Sequence, residues 1–151
     1  MTSRLDNYNY MKILTNWVDK DDIFTKKFTW PRQLEIHLPS NKKIACDFHC
    51  YYCQGSSLNM SLGLNEKKTL KLMEEIGPNT FEYYVYGGNY TEPLLNPYFM
   101  DFIRLTKKNK AHFGIHTNGS QIKKLHNKDN FCTELVGLME NSKDYISISL
   151  D

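Results

Sequence analysis

Strand-like runs recur along this chain at a spacing that hairpins cannot use. Gln33 to Leu38, Phe81 to Tyr86, His112 to Thr117 and Tyr145 to Leu150 are rich in β-branched and aromatic residues, and they follow one another at intervals of roughly 30 to 45 residues. Strands that far apart pair through crossovers, and crossovers of one hand give a parallel sheet. The stretches between them read as helices. Asn65 is placed to cap one, with Leu70, Met73 and Ile76 on one face and Gly77-Pro78 to end it. Asn96-Pro97 opens a second as a capping residue followed by Pro at the first helical position, with Phe99, Phe102 and Ile103 turned inward. Phe131, Leu135, Leu138 and Met139 share a face of a third, from Phe131 to Asn141.

The strands carry a second signal. A parallel strand covered by helices on both faces reads as a continuous apolar run. Here Leu34, Ile36 and Leu38 alternate with Glu35 and His37, Phe113 and Ile115 with His112, Gly114 and His116, and Ile146, Ile148 and Leu150 with Ser147, Ser149 and Asp151. One face is therefore polar. Helices on one side and a polar lumen on the other describe an α/β fold that is part of an open (βα) barrel, not a doubly wound sheet. Glu35, His37 and His116 point into that lumen, where they suit either proton transfer or the structural hydrogen bonding common for polar residues on strands. Ahead of this core, assigned to residues 32–151, residues 1–31 read as an amphipathic helix with Tyr10, Ile13, Leu14, Trp17 and Val18 on one face, then a linker carrying Ile23, Phe24, Phe28 and Trp30 that packs on the core.

The first strand feeds the run Cys46-Asp47-Phe48-His49-Cys50-Tyr51-Tyr52-Cys53. Three thiols so close together are soft ligands for one metal centre. The chain's fourth cysteine, Cys132, stands alone on a predicted helix as a small buried hydrophobe, so a disulfide framework is not the pattern and a reducing, cytoplasmic setting is expected. No apolar run of about 18 residues exists, and the first residues are too polar for a signal peptide. With 19 Lys plus Arg against 17 Asp plus Glu, the net charge of +2 supplies no argument for nucleic acid or a membrane surface. Two metal centres fit the thiols. One is a [4Fe–4S] cluster with one iron left without a protein ligand, and the other is a zinc ion whose tetrahedral set is completed by His49 or Cys132. A plain electron-carrying cluster would want a fourth Cys at close spacing.

The Cys spacing of three residues and then two, with Tyr52 before the last Cys, resembles the cluster loop of the radical S-adenosylmethionine (radical SAM) superfamily, and the resemblance runs from Gln33 to Asp151. It implies that Cys46, Cys50 and Cys53 hold a [4Fe–4S] cluster, that the open iron chelates S-adenosylmethionine, and that Tyr52 lies beside the adenine. The family's Gly-Gly-Glu-Pro element, which meets the methionyl amino group, is matched by Gly87-Gly88 and Glu92-Pro93, here separated by Asn89-Tyr90-Thr91. Thr117-Asn118-Gly119 resembles a further recurrent element, and Ser149 and Asp151 match the position that contacts the ribose. The resemblance also implies an electron donor such as flavodoxin or ferredoxin. With the crossover pattern, it makes the chain roughly four strands of a truncated partial barrel of about six. The expected activity is reductive cleavage of S-adenosylmethionine to a 5′-deoxyadenosyl radical that abstracts hydrogen from a substrate. The alternative is a noncatalytic binding domain stabilised by zinc.

Overall fold

Four short strands lie side by side in the order in which the chain makes them. In the computed structural model, which describes residues 31–38, 45–53, 65–88, 91–126 and 130–149, β1 (Gln33–Ile36), β2 (Tyr83–Tyr86), β3 (His112–Thr117) and β4 (Tyr145–Ile148) form one parallel sheet ordered β1-β2-β3-β4. The register sets Glu35 beside Val85, Val85 beside Gly114, and Gly114 beside Tyr145. The crossovers are α1 (Glu66–Ile76), α2 (Phe99–Lys108), and the pair α3 (Ile122–His126) and α4 (Phe131–Leu138). Because each strand is added to the same edge, right-handed crossovers carry every helix to the same face. All these elements belong to the unit Gln33–Asp151.

On the helix-covered face Ile36, Leu38, Tyr84, Tyr86, Phe113 and Ile115 pack against Met73, Phe99, Phe102, Ile103, Leu105 and Leu135. Each fully buried side chain of this size contributes roughly 1.5–3 kcal/mol by leaving water, so the face is the core. One of its buried phenols is satisfied internally. The Tyr86 hydroxyl pairs with Thr106 Oγ1 and donates to the Phe102 carbonyl at 3.2 Å, and burial raises its pKa far above the ordinary phenol value.

Local chemistry explains the helix ends. Asn65 Oδ1 accepts from the Lys68 N–H at 3.0 Å, and Gly77, at φ 72°, returns its N–H to the Met73 carbonyl. Asn96 accepts from the Tyr98 N–H at 2.9 Å, and its carbonyl accepts from Phe99. That asparagine closes a turn through Pro97, and α2 proper starts only at Phe99, two residues beyond the expected first position. The helix expected from Phe131 to Asn141 ends at Leu138, and the short α3 before it was not expected. β1 and β2 are shorter than the apolar runs that contain them. The amphipathic helix and most of the linker expected within residues 1–31 lie outside the described residues, as do Leu150 and Asp151 at the end of the fourth strand.

The opposite face is polar at β1 and β3, as the alternation predicted, but not at β2. Tyr83 and Val85 are buried there too, though less completely than the core-side Tyr84 and Tyr86. Further along the same face the Tyr145 ring lies over Gly114, where a Cβ would stand 2.3 Å from it. Glycine there makes room for the phenol. On the other side, Ile146 and Ile148 of the edge strand β4 are 40% and 44% exposed, so the apolar row thins out at this edge. At the end where β3 and β4 begin, the fully buried Asp144 carboxylate accepts from the Phe113 N–H at 2.7 Å and the Glu140 N–H at 2.6 Å, and it pairs with Lys107. Among the described residues no helix is long and apolar enough to cross a membrane.

Candidate functional site

In a parallel sheet wound in this way all strands point to one end, and there the loops after β1, β2 and β3 converge. The loop after β1 carries the three cysteines, each partly buried. The Cys53 N–H donates to the Cys50 carbonyl at 3.0 Å, a tight turn that lifts Tyr51 and Tyr52 outward to 96% and 55% exposure. The two rings meet edge to face, their centroids 5.2 Å apart. Cys46 Sγ accepts from the Phe48 N–H and from Asn118 Nδ2, each at 3.4 Å. Burial pushes its thiol pKa up, against the pull of those two donors. His49 is exposed.

Glu92 ties the three loops together. Its N–H donates to the Ala45 carbonyl at 2.9 Å, next to Cys46. Its carboxylate is 1% exposed; Oε1 accepts from the Leu94 N–H at 3.1 Å and the Thr117 hydroxyl at 2.6 Å, and Oε2 from the Asn118 N–H at 2.7 Å. Burial raises its pKa, although all three donors oppose the rise. Both oxygens are thus directed at β3 and at the turn Pro93–Leu95, and among the described residues Oε2 accepts one bond to the two of Oε1.

Asp47 completes the junction from the other side. Its carboxylate accepts from Asn118 Nδ2 at 2.9 Å, Ser120 Oγ at 2.6 Å and Gln121 Nε2 at 2.7 Å. Burial works against ionisation, yet these hydrogen bonds hold its carboxyl below the usual value. Sequence reasoning passed over Asp47, Ser120 and Gln121. The available signal was a lone carboxylate inside the Cys motif and a run of amide and hydroxyl donors directly after a strand.

The remaining candidates fall into two pairs on the polar face. Glu35 Oε1 lies 3.5 Å from His37 Nε2, and Gly88 sits against both. A Cβ on Gly88, whose φ is 138°, would come within 2.5 Å of Glu35 Oε1 and 2.9 Å of His37 Cε1, so only glycine lets the backbone approach this pair. Gly87, at φ 94°, packs as closely on the His116 carbonyl, 2.2 Å from where its Cβ would stand. His116 Nε2 is 3.3 Å from the Tyr145 hydroxyl. Ser149 is exposed beyond β4 and donates its N–H to the Thr117 carbonyl at 2.9 Å. Asp151, expected at the ribose, and Asn89-Tyr90 of the inserted segment lie outside the described residues.

Among the described residues no three Cys, His, Asp or Glu side chains are gathered around one point; the three thiols are not drawn together, and neither His49 nor Cys132 joins them. The donor chemistry nevertheless fits an iron–sulfur cluster, with three soft thiols in one loop and N–H groups directed at the sulfur of Cys46. No family model matches the chain, and comparison with curated proteins and with solved structures finds no match either.

Proposed function

We propose that this chain is a radical SAM core, in which Cys46, Cys50 and Cys53 hold a [4Fe–4S] cluster that leaves one iron to S-adenosylmethionine. The observation that carries the reading is placement. The three-Cys loop leaves the first strand of a sheet wound in one direction only, and Glu92 and Asn118 bind it to the ends of the second and third strands. Consecutive parallel order with helices on one face is what part of an open (βα) barrel requires, and active sites in such barrels sit at the strand ends where this junction lies.

When bound, the cluster and cosubstrate supply a one-electron reduction that ends in hydrogen-atom abstraction from a substrate. The chain's own residues then divide the work. The three thiolates hold the cluster, while Gly87 and Gly88 keep the backbone low enough for a ligand to approach. Glu92 offers Oε2 to an ammonium group, but its first task is to hold the β3 end against the Cys loop. Tyr52 offers an exposed ring for adenine to lie against, and Ser149 with Asp151 supplies polar groups for the ribose. Glu35, His37, His116 and Tyr145 line the polar face on which a substrate would rest. A flavodoxin or ferredoxin is the reductant this chemistry calls for.

The test is electron paramagnetic resonance of protein reconstituted anaerobically with iron and sulfide and then reduced, with and without S-adenosylmethionine. A [4Fe–4S] signal that changes on adding the sulfonium is the expected result. A signal that ignores it refutes cosubstrate binding. Retention of zinc with no cluster makes the chain a zinc-stabilised binding domain instead.

A further inference from the structure

We infer that Asn118 and Asp47 form a clip that positions the Cys loop and, through an N–H directed at the Cys46 sulfur, sets the reduction potential of the group that Cys46 holds. The backbone N–H and the whole side-chain amide of Asn118 are engaged. Its backbone N–H goes to Glu92 Oε2 at 2.7 Å and its Oδ1 accepts from the Ser120 N–H at 2.8 Å. The two hydrogens on Nδ2 remain, and they meet Asp47 Oδ1 at 2.9 Å and Cys46 Sγ at 3.4 Å. The amide cannot be turned over. Reversed, it would set Oδ1 against a carboxylate, which can only accept, and would face its NH₂ to the N–H of Ser120. Asp47 therefore fixes which end of Asn118 addresses the sulfur, and Ser120 and Gln121 in turn fix Asp47.

An N–H donated to a thiolate ligand stabilises the more negative, reduced state of an iron–sulfur cluster and raises its potential. Asn118 and Asp47 are positioning residues in this role, since neither is itself one of the cluster's cysteine ligands. The tuning rests on the radical SAM reading, whereas the clip is a property of the protein alone. The two are therefore measured separately.

In metal-free protein, amide hydrogen exchange over residues 46–53 is compared for wild type, Asn118→Ala and Asp47→Ala; loss of the clip should speed exchange about tenfold, the factor expected for about one net hydrogen bond. In reconstituted protein, the cluster's midpoint potential in Asn118→Ala should move to more negative values, with Lys71→Ala, at an exposed position of α1 that takes no part in the clip, unmoved. Unchanged exchange in both variants overturns the clip, and faster exchange with an unchanged potential overturns the tuning. Failure of wild-type protein to take up any cluster counts against the proposed function, while the exchange data still decide the clip. Asp47 is at an exposed position, so its variant keeps the test in force if Asn118→Ala does not fold.

Discussion

Glu92→Ala removes the side chain that joins the loop after β2 to the end of β3, and its cost can be worked from the hydrogen bonds it strands. Three donors lose their acceptor: the Leu94 N–H, the Asn118 N–H and the Thr117 hydroxyl. Leu94 and Asn118 are half-buried, so water recovers part of each loss, and the Thr117 hydroxyl can rotate. At about 1 kcal/mol for each, at the low end of the penalty for an unmade bond, the sum is about 3 kcal/mol. With a urea slope of about 2 kcal/mol/M, the unfolding midpoint should fall by about 1.5 M. Thr117→Val keeps the volume but loses the hydroxyl that donates to Glu92 and accepts from the Gly119 N–H at 3.0 Å, at a cost of about 1–2 kcal/mol. The two changes should be less than additive, because each removes the same bond. Charge is separated from hydrogen bonding by Glu92→Gln measured against pH. Burial raises the folded-state pKa of Glu92, so the folded protein holds this proton more tightly than the unfolded chain does. Its contribution is full below the unfolded pKa and declines as pH rises through the raised folded value. The stability of wild type relative to Glu92→Gln should therefore be greatest in acid and shrink across that window. A Glu92→Ala loss under about 1 kcal/mol, full additivity with Thr117→Val, or a gap that widens with pH would refute the reasoning.

Three further outcomes are expected. Gly114→Ala puts a methyl group where the Tyr145 ring lies, 2.3 Å from its nearest atom; it should cost about 1–3 kcal/mol in thermal or urea unfolding and be relieved by Tyr145→Ser in the same chain. Asp144→Ala leaves Lys107 and two N–H groups without their buried partner and should cost about 3–5 kcal/mol, with the Cys loop's hydrogen exchange unchanged because the site is at the other end of the strands. His37→Ala should abolish product formation while leaving cluster uptake, read from iron and sulfide content, at the wild-type level; unchanged turnover removes His37 from the site.

The parts of the fold that local chemistry decides were legible in the sequence. The Asn65 cap and Gly77 stop bound α1 where expected, and β3 spans the same His112–Thr117 that the alternation marked out. The short α3 was not legible, since five residues with only Ile122 and Leu125 apolar carry too little periodicity to stand out. The cysteines announced themselves by spacing. The junction around them did not, because Glu92 and Thr117 lie 25 positions apart and Cys46 and Asn118 lie 72. Only the side-by-side order of the strands brings such pairs together, and their chemistry, carboxylate to hydroxyl and amide to thiol, leaves no periodic trace. The burial of Tyr83 and Val85 was hidden for a related reason: alternation along one strand carries no information about what lies over its face.

The two ends of the sheet treat their carboxylates in opposite ways, and the contrast bears on what the upper end binds. At the lower end Asp144 is neutralised by Lys107. At the upper end Asp47 and Glu92 are held by amides, hydroxyls and backbone N–H groups, and among the described residues neither pairs with a Lys or Arg. Neutral donors stabilise a carboxylate without cancelling its charge. Setting two such groups near Cys46 therefore disfavours its thiolate: burial first, then Asp47 and Glu92, push the pKa of this thiol up. If a metal binds there as proposed, its uptake and the loss of the thiol proton are one coupled event. On the proposed radical SAM reading, iron in the loop and a cosubstrate carrying sulfonium and ammonium charges would bring to these carboxylates the positive charge that, among the described residues, no Lys or Arg supplies.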